Sequence, residues 1–214
     1  MLVLHSGAMQ LRADMVDGVL AGTKAQHRAA LLAARREVPA EVRTAEAVAL
    51  CAHLEEFVGR NDTVCAYLPV GTEPGSPQLV DRLRELCARV LLPVTRTADG
   101  EPLALQWGIY VPGALVAARY GLREPAEPVL PSSAVGDADL VLVPALAVDR
   151  RGVRLGRGGG FYDRSLSLCQ PTAKLVAVVR DVELVDELPS EPHDVRMTHV
   201  LTPKHGLSAL ANTA

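Results

Sequence analysis

The sequence predicts an α/β domain, a mainly parallel sheet flanked by helices on both faces. Three observations carry this. From residue 40 onward, short apolar runs alternate with segments of helical composition. The apolar runs at 63–68, 139–143 and 174–179 are continuous, as strands buried on both faces require. The chain has 214 residues, 49% of them apolar, with a mean hydropathy of +0.16, which suits one packed core. The boundaries drawn from the pattern are a loose N-terminal extension at 1–22, one domain at 23–204 and a C-terminal tail at 205–214.

The elements follow in order. Residues 24–36, KAQHRAALLAARR, are Ala- and Leu-rich, with Thr23 placed to cap them as a helix. Pro39 ends that helix, because the residue before a proline leaves the α region. A second helix is expected over 40–57, where Val42, Ala45, Ala49 and Ala52 recur at helical spacing. A strand over 63–68 stops at Pro69, and a loop over 71–77 follows. Ser76-Pro77 signals the next helix start, with PQLVDRLRELCARV behind it. Strands are expected at 90–93, 103–107, 139–143, 174–179 and 199–202. Loops 69–76 and 144–160 then lie at carboxyl ends of strands, where such sheets bind ligands.

Composition excludes several classes. A net charge of −3 argues against bulk nucleic-acid binding, and 3% aromatic residues are too few to stack successive bases. No apolar run approaches the ~20 residues of a membrane span. Cys51, Cys65, Cys87 and Cys169 form no CxxC pair and read as reduced thiols in a core. The N-terminus is a poor signal peptide, so a cytoplasmic protein is expected. The six histidines show no zinc-ligand spacing with cysteine.

The chemistry concentrates at 149–164, DRRGVRLGRGGGFYDR. Four of the five residues from Gly156 to Gly160 are glycine, and the fifth is Arg157. Glycine lets backbone N–H groups approach an anion with no Cβ in the way. A helix starting at Phe161 would point its N-terminus at that anion. Five Arg against two Asp give the segment a charge of +3 in an acidic chain. Arg154 and Arg157 flank the glycines as guanidinium clamps for phosphate oxygens. The Walker A and GxGxxG spacings are both absent. Asp163, just inside the helix, either holds Mg²⁺ beside a phosphate or stabilises the helix start. Residues 181–194 carry six acids and no base, a solvated face, and Pro192-His193-Asp194 forms a stiff turn presenting one carboxylate. Lys24, Arg28 and Arg35 share one face of the first helix within roughly 40°. That face is either a solvated stripe or a reach toward a phosphate tail. Glu73 is a loop acid that is either solvated or an acceptor for a heterocycle.

At Arg154-Leu-Gly-Arg-Gly-Gly-Gly-Phe-Tyr-Asp163 the sequence resembles the 5-formyltetrahydrofolate cyclo-ligase family. Further matches follow in order at Lys24-x-x-x-Arg28, Tyr67-Leu-Pro-Val-Gly-Thr-Glu73, Gly121-Leu-Arg-Glu-Pro125, Leu142-Val-Pro-Ala-Leu-Ala-Val-Asp-Arg-Arg-Gly152 and Leu188-Pro-Ser-Glu-Pro-His-Asp194. The resemblance spans about residues 24–202. It implies a three-layer α/β fold and an ATP- and Mg²⁺-dependent closure of 5-formyltetrahydrofolate to 5,10-methenyltetrahydrofolate, with release of ADP and phosphate. It implies that Lys24, Arg28 and residues Arg154, Leu155, Gly156, Arg157, Gly158, Gly159, Gly160, Phe161 and Tyr162 bind ATP. It implies that Leu68, Glu73, Arg157, Gly158, Gly159, Gly160 and Phe161 contact the folate. Asp163 and Asp194 would be the Mg²⁺ carboxylates, and Arg157 and Asp163 the catalytic pair. Phe161 stands where the family commonly has Tyr, and positions 157 and 159 vary among members. The partners expected are the two small substrates alone, with no nucleic acid or membrane, and the chain is expected to be a monomer. Two rivals remain: a non-catalytic folate- or nucleotide-binding relative, and a sugar-phosphate or CoA-handling enzyme on a similar fold.

Overall fold

The computed structural model describes residues 23–211 except His193; the expected extension at 1–22 and the histidine of the 192–194 turn lie outside the described residues. The first helix, α1 (Lys24–Arg36), begins where the cap chemistry says it should. Thr23 Oγ1 accepts from Gln26 N, and Gln26 Oε1 accepts from Thr23 N, a reciprocal capping box. Its inward positions are His27, Leu31 and Arg35, spaced four apart. Pro39 starts α2 (Ala40–His53), which tightens into a 3₁₀ turn at Leu54–Glu56 instead of running on to 57. Two more helices follow, α3 (Gln78–Leu86) and α4 (Phe161–Leu166).

In chain order the strands are β1 (Thr63–Cys65), β2 (Arg89–Val94), β3 (Thr97–Ala98), β4 (Glu101–Pro102), β5 (Gln106–Ile109), β6 (Leu115–Ala117), β7 (Arg123–Pro125), β8 (Leu140–Pro144), β9 (Ala147–Asp149), β10 (Arg154–Leu155), β11 (Lys174–Val178), β12 (Leu184–Val185), β13 (His199–Thr202) and β14 (Gly206–Ala209). Seven of them form the main sheet, in the order β14-β13-β11-β8-β1-β2-β5. The five central strands are parallel, and β5 and β14 close the edges antiparallel. The mainly parallel α/β sheet expected from the sequence is therefore present.

Three details differ from the expectation. The first strand pairs only over Thr63–Cys65, although Ala66 N still reaches Leu91 O. The strand expected at 103–107 is displaced to Gln106–Ile109, which pairs with β2. The domain does not end at 204: β14 hydrogen-bonds along β13 within the stretch taken as a tail. Each shift has one cause. Pairing with a distant strand, invisible to local composition, sets the boundary.

Alternation along the strands sorts the core. Val64, Leu140, Leu142, Val176 and Val178 face α2 and α3, against Leu50, Leu54, Leu79 and Leu83. Cys65, Val141, Val143, Leu175 and Ala177 face the other side, against Trp107, Val135 and Leu166. The second face is covered by α4 and the 3₁₀ segment Ser132–Asp137 rather than by long helices. All four cysteines are free thiols, and Cys65 and Cys87 are buried. No helix among the described residues is long and apolar enough to cross a membrane.

Helix α1 docks through charge as well as through Leu31. Arg35 is 1% exposed. Its Nε and Nη2 donate to Glu183 at 2.7 and 2.8 Å, and Nη2 also donates to Ala145 O at 2.6 Å. Burial alone would push this guanidinium down; the bonds and charge of Glu183 reverse the direction. Arg35 is thus neither a solvated stripe nor a free phosphate cation. Asp149 does similar work in the turn before β10, accepting from Arg151 N, Val153 N and Leu188 N. Within that turn Gly152 has φ +83°, and a Cβ there would lie 2.3 Å from Met197 O, so only glycine fits.

Removing one partner of a buried ion pair leaves the other charge uncompensated. Glu183→Ala is therefore expected to lose about 3–5 kcal/mol of stability in urea unfolding. A loss below ~1 kcal/mol would show that water reaches Arg35.

Candidate active site

The carboxyl ends of β1, β2 and β8 open into a cavity of about 840 Å³. Its floor and one pole are cationic. Arg28, from α1, donates through Nε to Gly156 O at 2.9 Å and fastens the helix to the glycine loop. Within that loop Gly158 and Gly160 have φ +94° and +70°. Gly160 leads directly into α4, whose first residue is Phe161, as the sequence predicts. At six residues α4 is under two turns. Anion attraction here therefore rests on loop N–H groups and guanidinium charge, more than on the helix dipole anticipated from sequence.

Four ion pairs ring the cavity. Arg154, nearly buried, holds Asp163 at 2.5 Å and lies 5.7 Å from the centre of the Tyr162 ring. Lys24 Nζ sits 3.0 Å from Asp194 and 3.3 Å from Glu191. Asp194 Oδ2 also accepts from Glu191 N at 2.8 Å. Arg157, half exposed, reaches across to Glu73 at 3.2 Å and so joins the glycine loop to the loop after β1. Glu73 is held from below as well, since its Oε2 accepts from Val70 N at 3.0 Å. Tyr67 fixes the same loop by donating to Pro74 O at 3.1 Å.

Two phenols lie in this wall. Burial pushes the Tyr67 hydroxyl well up, and the Glu73 charge adds to that. Burial likewise pushes Tyr162 up, again with Glu73 adding, and its hydroxyl has no hydrogen-bond partner. Both stay neutral at ordinary pH and serve as walls rather than bases.

Every residue that the sequence singled out lines this cavity. Lys24, Arg28 and Arg154 through Asp163 form one side; Leu68 and Glu73 form the middle; Asp194 closes the rim. The described residues contain no cluster of three or more metal-ligating side chains. That donor set still suits Mg²⁺, which takes one or two carboxylates and completes its shell with phosphate oxygens and water.

A model of the 5-formyltetrahydrofolate cyclo-ligase family matches residues 21–203. The chain belongs to this family. A 5-formyltetrahydrofolate cyclo-ligase from Mycolicibacterium smegmatis is 62% identical over 189 residues, covering 88% of this chain and 97% of that protein. One from Escherichia coli is 34% identical over 143 residues, covering 66% of this chain and 78% of that protein. The fold also matches the NMR structure of Aquifex aeolicus 5,10-methenyltetrahydrofolate synthetase, with a TM-score of 0.71 at 23% identity over 89% of this chain and 94% of that one.

Several cyclo-ligase cavity residues were given no role from sequence: Tyr67, Thr95, Arg123, Glu124 and Glu191. Glu191 sat within a run of acids that reads as solvated. Thr95 sits just beyond β2 and carries no motif. Glu124 lies inside a matched motif, which was the available signal.

Gly158 can be tested by adding one methyl group. Its φ of +94° strains any L-residue, and the new Cβ would sit 3.4 Å from Arg28 Cζ. Gly158→Ala is expected to cost about 1–2 kcal/mol in unfolding free energy. Unchanged stability would mean that the loop relaxes freely around Arg28.

Proposed function

We propose that the chain catalyses the ATP- and Mg²⁺-dependent cyclisation of 5-formyltetrahydrofolate to 5,10-methenyltetrahydrofolate, releasing ADP and phosphate. One observation carries the reading: the residues assigned by resemblance to the nucleotide, the folate and the metal, scattered from 24 to 194, line one cavity. The family's curated relatives carry the cyclo-ligase name.

The chemistry needs positioning more than a nucleophile. The formyl oxygen at N5 is a poor leaving group. Moving the γ-phosphoryl group onto it makes it a good one; N10 then attacks the formyl carbon, phosphate departs, and the N10 proton leaves to that phosphate or to water. In this account Lys24, Arg28, Arg154 and Arg157 gather the phosphates, and the N–H groups of Gly158 to Gly160 meet their oxygens. Asp163 and Asp194 would hold Mg²⁺, which supplies charge neutralisation at the transferring phosphoryl. Glu73 accepts N–H groups of the pterin beside Arg157. Leu68 and Phe161 pack on the substrate and limit water. The protein acts as a cytoplasmic monomer with two small-molecule substrates.

The rivals have less support. A non-catalytic binder has no use for two carboxylates set among phosphate-type cations. A sugar-phosphate or CoA-handling enzyme would need a nucleophile or an acid–base pair, and the buried tyrosines with raised affinity for their protons supply neither.

The deciding experiment mixes protein, ATP, Mg²⁺ and 5-formyltetrahydrofolate and follows near-ultraviolet absorbance, which the methenyl product has and the substrate nearly lacks. No absorbance increase would overturn the reading. Asp163→Asn keeps the hydrogen bond to Arg154 but removes the charge, and should lower kcat on the order of 100-fold with thermal stability unchanged. Near-normal turnover at limiting Mg²⁺ would return Asp163 to a helix-start role.

Arg157 and Glu73 contact each other, so their substitutions should not add. A cycle of Arg157→Ala, Glu73→Gln and the double variant is expected to show coupling of about 0.5–1 kcal/mol in kcat/KM, modest because Arg157 is half exposed. Strict additivity would mean that the two loops act independently.

A further inference from the structure

The motif Gly121-Leu-Arg-Glu-Pro125 matched the family, yet the account above gives it no task. It builds β7, which pairs only with β6 outside the main sheet. Packing nevertheless locks β7 in place. A Cβ at Gly108 of β5 would lie 2.4 Å from Pro125 Cβ, so the Pro125 ring packs directly on the Gly108 backbone. Beyond it, Trp107 and Leu130 exchange backbone hydrogen bonds at 3.2 and 2.6 Å.

This locked strand carries Glu124 into the wall of the cavity, 7% exposed. One side of its carboxylate is fully occupied: Oε1 accepts from Thr95 N at 2.8 Å and from Thr95 Oγ1 at 2.6 Å. Among the described residues the other oxygen, Oε2, accepts no hydrogen bond. It forms an ion pair with the partly exposed Arg96 at 3.7 Å, too long for a hydrogen bond. Buried carboxylates normally have both oxygens satisfied. One that is rigid and half-satisfied, in the wall of an open cavity, is set for a donor that arrives with a ligand.

The surroundings select the donor. Leu92, Pro93, Leu105 and Leu122 line the same cavity and offer it apolar surface. Of the cations assigned to phosphate, Arg154 and Arg157 follow β8 and Lys24 and Arg28 come from α1, whereas Glu124 adjoins the end of β2, beside Arg96 and Arg123. A carboxylate in that place repels phosphate and attracts N–H groups. We propose that Glu124, braced by Thr95, is a specificity-determining acceptor for the N–H groups of a planar heterocycle. This rests on the proposed function, in which the heterocycle is either the pterin of the folate or the adenine of ATP.

The test is Glu124→Gln, titrated calorimetrically with 5-formyltetrahydrofolate and, separately, with ATP in the presence of Mg²⁺. The expected result is an affinity loss of about tenfold or more for one substrate, with the other unchanged. A loss confined to 5-formyltetrahydrofolate identifies the pterin. A loss confined to ATP, with no matching loss for inosine triphosphate, identifies the adenine. Thr95→Val removes one brace without removing the acceptor and should shift the same substrate by less. Unchanged affinities for both substrates, or equal losses for both with a lowered melting midpoint, would overturn the proposal. Because binding is read without turnover, a wild type that binds both substrates but forms no product refutes the cyclisation and leaves the role of Glu124 measurable.

Discussion

Two buried guanidinium groups hold the site together. Arg35 of α1 forks onto Glu183 and also binds Ala145 O just past β8. Glu183 Oε2, which takes one of those bonds, also accepts from Arg180 N at 2.8 Å. The Arg180 side chain reaches Glu46 on α2 at 2.8 Å and Thr72 O at 3.1 Å. Helices α1 and α2, the ends of β8 and β11 and the loop bearing Glu73 therefore share one network. Apolar packing supplies most of the cohesion in a domain of this kind, and a buried ion pair is weak evidence of net stability. What the network supplies is register. A leucine seam lets a helix slide by a fraction of a turn, whereas a forked Arg–carboxylate contact has one geometry. Lys24 and Arg28 lie on the same helix as Arg35, and Glu73 follows Thr72, so both walls of the cavity take their places from it.

That fixed frame explains how many charges can crowd into one cavity. Lys24, Arg154 and Arg157 are each matched with a carboxylate from another segment. Arg28 is matched with a carbonyl. On the proposed reading, an incoming polyphosphate takes over the cations, and the carboxylates of Asp163 and Asp194 are then released toward a divalent ion. Charge stays near balance before and after, which avoids the cost of an unpaired charge in a partly dry cleft.

Local chemistry was readable from the sequence wherever it is local in the structure. Thr23 announced the start of α1, and Gly160-Phe161 announced the start of α4. The glycine loop, with its flanking arginines, is contiguous and was found whole. What escaped depends on partners far along the chain. Arg35 shares a helical face with Lys24 and Arg28, and nothing near it signals the Glu183 that withdraws it from the cavity floor into an ion pair. The edge strand β14 and the displaced β5 owe their limits to β13 and β2. Thr95 and Glu124 are 29 residues apart and meet only because β7 folds back over β5.

Titration gives the cavity a further property. Burial raises both Tyr67 and Tyr162, so neither phenol ionises in the range where a phosphoryl transfer would run. Tyr67 spends its proton on Pro74 O and steadies the Glu73 loop. Tyr162 packs beneath the Arg154 guanidinium, with its hydroxyl buried. Such a wall offers no side-chain general base. In the proposed reaction N10 is itself the nucleophile, the activated formyl oxygen leaves as phosphate, and the N10 proton is taken up by that departing phosphate or by water. A cavity built from neutral phenols, paired guanidinium groups and a locked glycine loop can then act by exclusion of water and fixed charge alone, the terms expected to dominate when the difficult bond is made between two substrates held side by side.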